Sequence, residues 1–152
     1  MAGKYVALLN KFVELLESDP ASPNLQSVKR YRVDLQSISI FPSAFAYLSD
    51  TTFTNHGIGN TVADNNVNIL LAARHTDSQE QADEELELLL DNSTGQGIEE
   101  IFKQDRNKII QVKDIDYTFQ IDKFKWGQSS DVSGYISYCE ITFRCINRSG
   151  IW

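Results

Sequence analysis

The stretch from Asn66 to Asp91 constrains the fold more than any other part of the chain. Its first half, Val67 to Ala73, is a short bounded apolar run of the kind that forms a buried strand. Its second half places Ala82, Leu86, Leu89 and Leu90 at helical spacing, with acids on the remaining faces. Between them Asp77, with Glu80 three residues on, has the spacing of a capping box. A strand joined to a helix by so short a turn must lay that helix back over its own sheet.

The flanking sequence adds a first helix and several strands. With 152 residues the chain is long enough to bury a core and is read as one domain, 1–152. Residues 3 to 18 put Tyr5, Val6, Leu8, Leu9, Phe12, Val13, Leu15 and Leu16 on a broad helical stripe. This face would dock on the sheet or on a neighbouring subunit, and the prolines at 20 and 23 stop the helix. Strand signals run from Val28 to Leu48, with a slip of phase near Ser37 that predicts a bulge or bend, and a break at Phe41-Pro42. The polar stretch 49–66 is too long for a hairpin turn and reads as an extended loop or protruding arm.

Beyond the central helix, Asn92 to Gly97 ends it, Ile98, Ile101 and Phe102 suggest a further helical turn, and 105–108 is a polar connector. Tyr117, Phe119 and Ile121 alternate cleanly, and Phe124 and Trp126 continue on the other parity, which predicts a bulge near Asp122. A loop over 127–134 then leads into a strand from Tyr135 to Ile146. These two strands form a hairpin that could stand beyond the body of the domain.

Charge and cysteine content narrow the function classes. A formal net charge of −7 repels polyanions, so DNA is expected only as a passing, non-sticking cargo. No apolar run approaches the roughly 20 residues of a membrane span, and the amino terminus lacks a signal pattern. Cys139 and Cys145 fall on one strand roughly 20 Å apart, too far for a disulfide, and read as buried thiols of a reducing compartment.

The residues give little support for catalysis. His56 and His75 are the two histidines, and neither has neighbours at zinc-ligand spacing, since His75, Asp77 and Glu80 are better explained as a helix start. On strand parity Asp114 and Asp116 would share a face, near Asp122, which fits a solvated sheet face better than a carboxylate pair. Gly57-Ile58-Gly59 lacks the third glycine of a dinucleotide fingerprint, and no nucleophile stands with a base. The expectation is a protein without enzymatic activity, cofactor or metal.

Surface residues carry the remaining signal. Glu80, Asp83, Glu84, Glu85, Glu87 and Asp91 crowd the central helix without a Lys or Arg among them. Such like charge gains little from i,i+4 pairing, and it would suit a negative wall along a passage for DNA. Phe53, Trp126 and Trp152 are the exposed aromatic candidates, and with His56 and Asp131 they make up the candidate interface.

The order of parts resembles the tail terminator (tail-completion) proteins of long-tailed bacteriophages. The matching pieces are the helix ending near Ser18, the strand Phe41-Pro-Ser-Ala-Phe-Ala-Tyr47 and the strand Val67–Ala73. The Gln79–Asp91 helix and a closing hairpin through Ile121 and Ile141 complete them. The resemblance implies an α+β subunit, its helices packed on one side of a mostly antiparallel sheet, in a hexameric ring that caps the tail tube, ends its polymerisation and meets the head connector, assembled in the host cytoplasm and carried in the virion. Its implied partners are copies of itself, the tail-tube protein and a head-connector protein. The chain departs from that pattern in its 49–66 stretch and its short tail after Ile146. Two other readings remain: another head-to-tail connector or neck protein, or a small α+β ligand-binding module with a pocket between helix and sheet.

Overall fold

The computed structural model describes residues 3–18, 25–55, 61–90 and 109–149. Helix α1 spans Lys4–Ser18, strand β1 Ser27–Lys29, and a 3-10 turn Leu35–Ser37 precedes β2, Ser43–Asn55. Strand β3, Thr61–His75, leads into helix α2, Gln79–Leu90. Strands β4, Ile110–Val112, β5, Ile115–Asp131, and β6, Gly134–Asn147, complete the order. They form one six-stranded sheet in the order β1-β2-β3-β6-β5-β4. Only the β1–β2 pair is parallel, so the fold is α+β with a mostly antiparallel, curled sheet.

Both helices lie on one face of this sheet. Leu8, Leu9, Phe12 and Leu16 of α1 and Leu86, Leu89 and Leu90 of α2 join one buried cluster. From below, that cluster receives Ala44 and Ala46 of β2, Val67, Ile69, Leu71 and Ala73 of β3, and Cys139, Ile141, Phe143 and Cys145 of β6. Alternate strand residues point to one face, which is why the odd positions of β3 and β6 build this core together. Phe12 is its centre: its ring stacks on Phe119 at 4.5 Å and tilts against Phe143 at 5.3 Å. The α1 stripe therefore docks on the sheet.

The junction of β3 and α2 folds as expected, with one change. Ala82, Leu86, Leu89 and Leu90 are the buried residues of α2. The helix begins one residue later than the Asp77 cap would require, and Ser78 caps it: its Oγ accepts the Gln81 N–H at 3.2 Å. Asp77 instead gives its N–H to His75 Nδ1 at 3.1 Å, an engagement that tightens the strand-to-helix turn.

Three sequence expectations are corrected. Residues 32–40 form no strand; the slip near Ser37 is the 3-10 turn, started by Asp34, whose side chain accepts the Gln36 N–H at 3.4 Å. The 49–66 stretch is no extended loop, because β2 runs to Asn55 and β3 starts at Thr61, in register from Asp50↔Asn66 to Asn55↔Thr61. Polar threonines and asparagines serve here as strand formers at the sheet's end, and they bond one another: Thr51 Oγ1 to Asn65 Oδ1 at 2.8 Å and Asn66 Nδ2 to Asp50 Oδ1 at 2.5 Å. The 127–134 loop shrinks to a turn at 132–133, with 127–131 inside β5, so Trp126 sits within a strand.

The bulge near Asp122 is present, as a register shift between Ile121 and Lys123, and a second lies between Leu48 and Asp50. Cys139 and Cys145 are buried thiols on the helix face. Burial pushes the Cys145 thiol well above its ordinary range, and nearby Asp64 pushes the same way. Among the described residues no helix is long and apolar enough to cross a membrane. The predicted turns at 92–97 and 98–102 and the 105–108 connector lie outside the described residues.

Candidate functional site

Three surfaces hold the candidate residues: the outer side of α2, the two long edges of the sheet, and a groove on the sheet face away from the helices. On α2, Glu80, Asp83, Glu84, Glu85 and Glu87 are all exposed, because the buried positions fix which side turns out. They are not equivalent. Asp83 accepts from Gln128 Nε2 at 3.0 and 3.2 Å and from the Ser137 hydroxyl. Gln79 reinforces the contact, its Nε2 donating to Ser137 Oγ at 2.7 Å and to the Ile136 carbonyl at 3.1 Å. Asp83 thus staples the helix to the β5–β6 hairpin. Glu85 lies 4.0 Å from His75 Nε2. Glu80, Glu84 and Glu87 form no ion pair with any described residue and make up the open acidic surface. Asp91 lies outside the described residues.

The remaining titratable groups do not converge. Asp114 sits in the two-residue turn between β4 and β5, at φ 68° after Lys113 at φ 52°. It therefore does not share a strand face with Asp116, as parity had suggested; the turn takes it out of the strand. Asp122 lies at the β5 bulge. Among the described residues no three His, Cys, Asp or Glu side chains come together to hold a metal ion.

The interface candidates fall on the sheet edges. Phe53 is opposite Ala63 across β2–β3, and it is 51% exposed at the outer strand of one side. Trp126, 59% exposed, meets Phe124 edge-on at 5.8 Å on the outer strand of the other side. Asp131 is committed locally: it pairs with Arg74 at 3.7 Å and accepts the Ser133 N–H at 2.8 Å, closing the β5–β6 turn. His56 and Trp152 lie outside the described residues.

Sequence reasoning missed the groove. It holds about 520 Å³ between the 32–35 segment and the sheet, with Arg32, Tyr47, Lys125, Tyr138 and Glu140 around it and Leu70 at its floor. The Arg32 guanidinium lies 5.9 Å from the Tyr47 ring centre. Burial raises the Tyr47 hydroxyl pKa above its ordinary value, and a hydrogen bond with Glu140 adds to the rise. Beside it Asn68 donates to Glu140 Oε1 at 3.0 Å, while its buried Oδ1 has no hydrogen-bond partner. The available signal was parity: Asn68 and Glu140 are polar residues at even positions of strands whose odd positions form the core.

No known protein family and no characterised protein matches the sequence.

Proposed function

We propose that this chain is a structural virion assembly protein that closes as a ring on the end of a phage tail tube, ends tube growth and joins the tail to a head connector. The observation that carries this reading is the sheet itself, whose two outermost long strands, β2 and β5, leave most of their edges unpaired among the described residues. A sheet open on both sides is built for neighbours. The acids Glu80, Glu84 and Glu87 and the net charge of −7 suit a wall that DNA passes without sticking. A heterologous contact repeated from copy to copy closes into a ring when the rotation closes.

Native mass spectrometry and electron microscopy of the purified chain, alone and with polymerising tail-tube protein, test the reading. Closed rings with a central hole, and tubes that stop growing when the chain is added, are expected. A protein that stays monomeric under both conditions and leaves tube length unchanged would sink it.

The groove favours a second reading, a ligand-binding module, because its size suits a small molecule and an unpartnered buried acceptor lies next to it. That pocket would be on the face opposite the helices, not between helix and sheet. A melting temperature raised by members of a small-molecule library, and unchanged in Tyr47→Ala, would favour the module.

A further inference from the structure

We infer that copies of this chain join by antiparallel pairing of the free edge of β2 in one copy with the free edge of β5 in the next. The inference rests on the ring reading above and specifies how the ring is sewn together.

The free edges are defined by what already covers them. β1 pairs with Ser43 to Phe45, leaving β2 open from Ala46 to Asn55 among the described residues. β4 pairs with Ile115 to Tyr117, and among the described residues nothing else pairs with that edge, leaving β5 open from Thr118 to Asp131. Each edge carries a row of backbone donors and acceptors, and such rows are templates for another strand unless they are blunted. Between residues 46 and 55 there is no proline, lysine or arginine to blunt β2.

Direction fits head-to-tail repetition. β2, β3, β6 and β5 are successive antiparallel neighbours, so the four long strands alternate and β5 runs opposite to β2. Placing the next copy in the same orientation sets its β5 beside β2 with the alternation unbroken. A pair of like edges would also be antiparallel, but two β5 edges would bring Lys123 and Lys125 together, and like charges across strands destabilise. It would also leave the other two edges open.

The side chains fit the same pairing. A continuous sheet must match faces, since a one-residue slip turns every side chain over. Phe53 shares the helix face with its cross-strand partner Ala63 and with Val67 and Ile69. On β5 that face belongs to Phe124, which packs against the helix-face core, and to Trp126, two residues on. Matched faces therefore lay Phe53 of one copy against the Phe124–Trp126 pair of the next. On the other face the same register sets Thr52 and Thr54 of β2 beside the stretch of β5 that bears Lys123 and Lys125, whose cross-strand neighbours Thr142 and Glu140 mark the groove side. The two short strands act as stops that limit how far the edges slide.

Cross-linking tests the pairing. Thr52, Thr54 and Lys125 are exposed and lie on the groove side, so Thr52→Cys, Thr54→Cys and Lys125→Cys disturb little of the fold. Under mild oxidation, a mixture of Lys125→Cys with either threonine variant should give disulfide-linked dimers. Each variant alone should give none, and the unaltered chain with its buried Cys139 and Cys145 should stay silent. Electron microscopy of the same samples separates the failures. Rings without the mixed cross-link overturn the strand pairing and leave the ring reading standing. Cross-linked dimers of Thr52→Cys or Thr54→Cys alone overturn it in favour of like-edge pairing. Monomers at every concentration, with and without polymerising tail-tube protein, overturn both.

Discussion

The two faces of the sheet are built on different principles. The helix face is a continuous apolar layer roofed by α1 and α2, with Phe12, Phe143, Ile69, Leu71 and Val67 fully buried. The opposite face has a small cluster, Ile38, Phe45, Leu70 and Ala72, lidded by the 3-10 segment, and next to it a polar set of Tyr47, Asn68 and Glu140. One face stabilises the domain, and the other keeps polar groups within reach of solvent and of whatever meets the groove. Each substitution below tests that division.

The largest effect is expected at the helix face. Phe12→Ala removes the ring wedged between Phe119 and Phe143 and should cost about 3–5 kcal/mol in urea unfolding, near the whole margin of a small domain. Leu70→Ala on the opposite face should cost about 2 kcal/mol, the low end for such truncations, because its cluster is small and collapses easily. Equal losses would abolish the contrast between the faces.

A second test lies where the β5–β6 hairpin meets the groove. A Cβ at Gly127 would overlap Tyr138 Cζ, so the ring lies directly over the glycine. Gly127→Ala must push that ring aside and should cost about 1–3 kcal/mol. The Tyr138→Ala background should absorb most of the loss, a coupling that a double-mutant cycle reads. Asp83→Ala, which leaves Ser137 and Gln128 without their acceptor, should cost about 1–2 kcal/mol and loosen α2 from the hairpin, seen as faster amide exchange in both.

The same division explains how much of the molecule was legible in the sequence. Val67–Ala73 and the α2 pattern were readable because a buried face imposes its period on the residues, and the Asp122 bulge was readable as a break in that period. The 49–66 stretch was not, because its strand residues are mostly polar: Asp50, Thr51 and Thr52 pair with Asn66, Asn65 and Asp64, residues as common in loops as in strands. Ser78 lost to Asp77 as the expected cap because both precede the helix and only geometry distinguishes them. Of the candidate site, the exposed acids and edge aromatics could be nominated from the sequence. Their grouping could not, since β2 and β5 come to opposite sides of the sheet only through the β3–β6 pairing.

Alkaline pH probes the helix face with a smaller effect. The buried Cys145 thiol titrates well above its ordinary value of 9.0 in the folded chain. Below the unfolded pKa both states hold the proton and stability is unaffected. As pH rises past about 9 the unfolded chain releases its proton and the folded chain does not, so stability falls until the folded pKa is reached. Cys145→Ala should flatten that decline by about one proton's worth, 1.4 kcal/mol per pH unit, measured as melting temperature against pH. An unchanged slope would mean that the helix face admits hydroxide or water to the thiol.

The smallest effect is expected on the groove face, at Asn68. Its Nδ2 donates to Glu140, a bond to a charged group worth about 1.5–3 kcal/mol, while its buried Oδ1 has no partner and carries a desolvation cost of about 1–3 kcal/mol. Asn68→Ala loses the first and removes the second, so the two nearly cancel and the net change should stay within about 1 kcal/mol. That cancellation is peculiar to a face that leaves a polar group unsatisfied. Asn65, as deeply buried on the helix face, accepts from Thr51 at 2.8 Å and should lose more on the same substitution. Were Asn68→Ala the costlier of the two, its Oδ1 would be satisfied in solution, and the groove would be a closed, structural feature of the fold with no ligand-facing role.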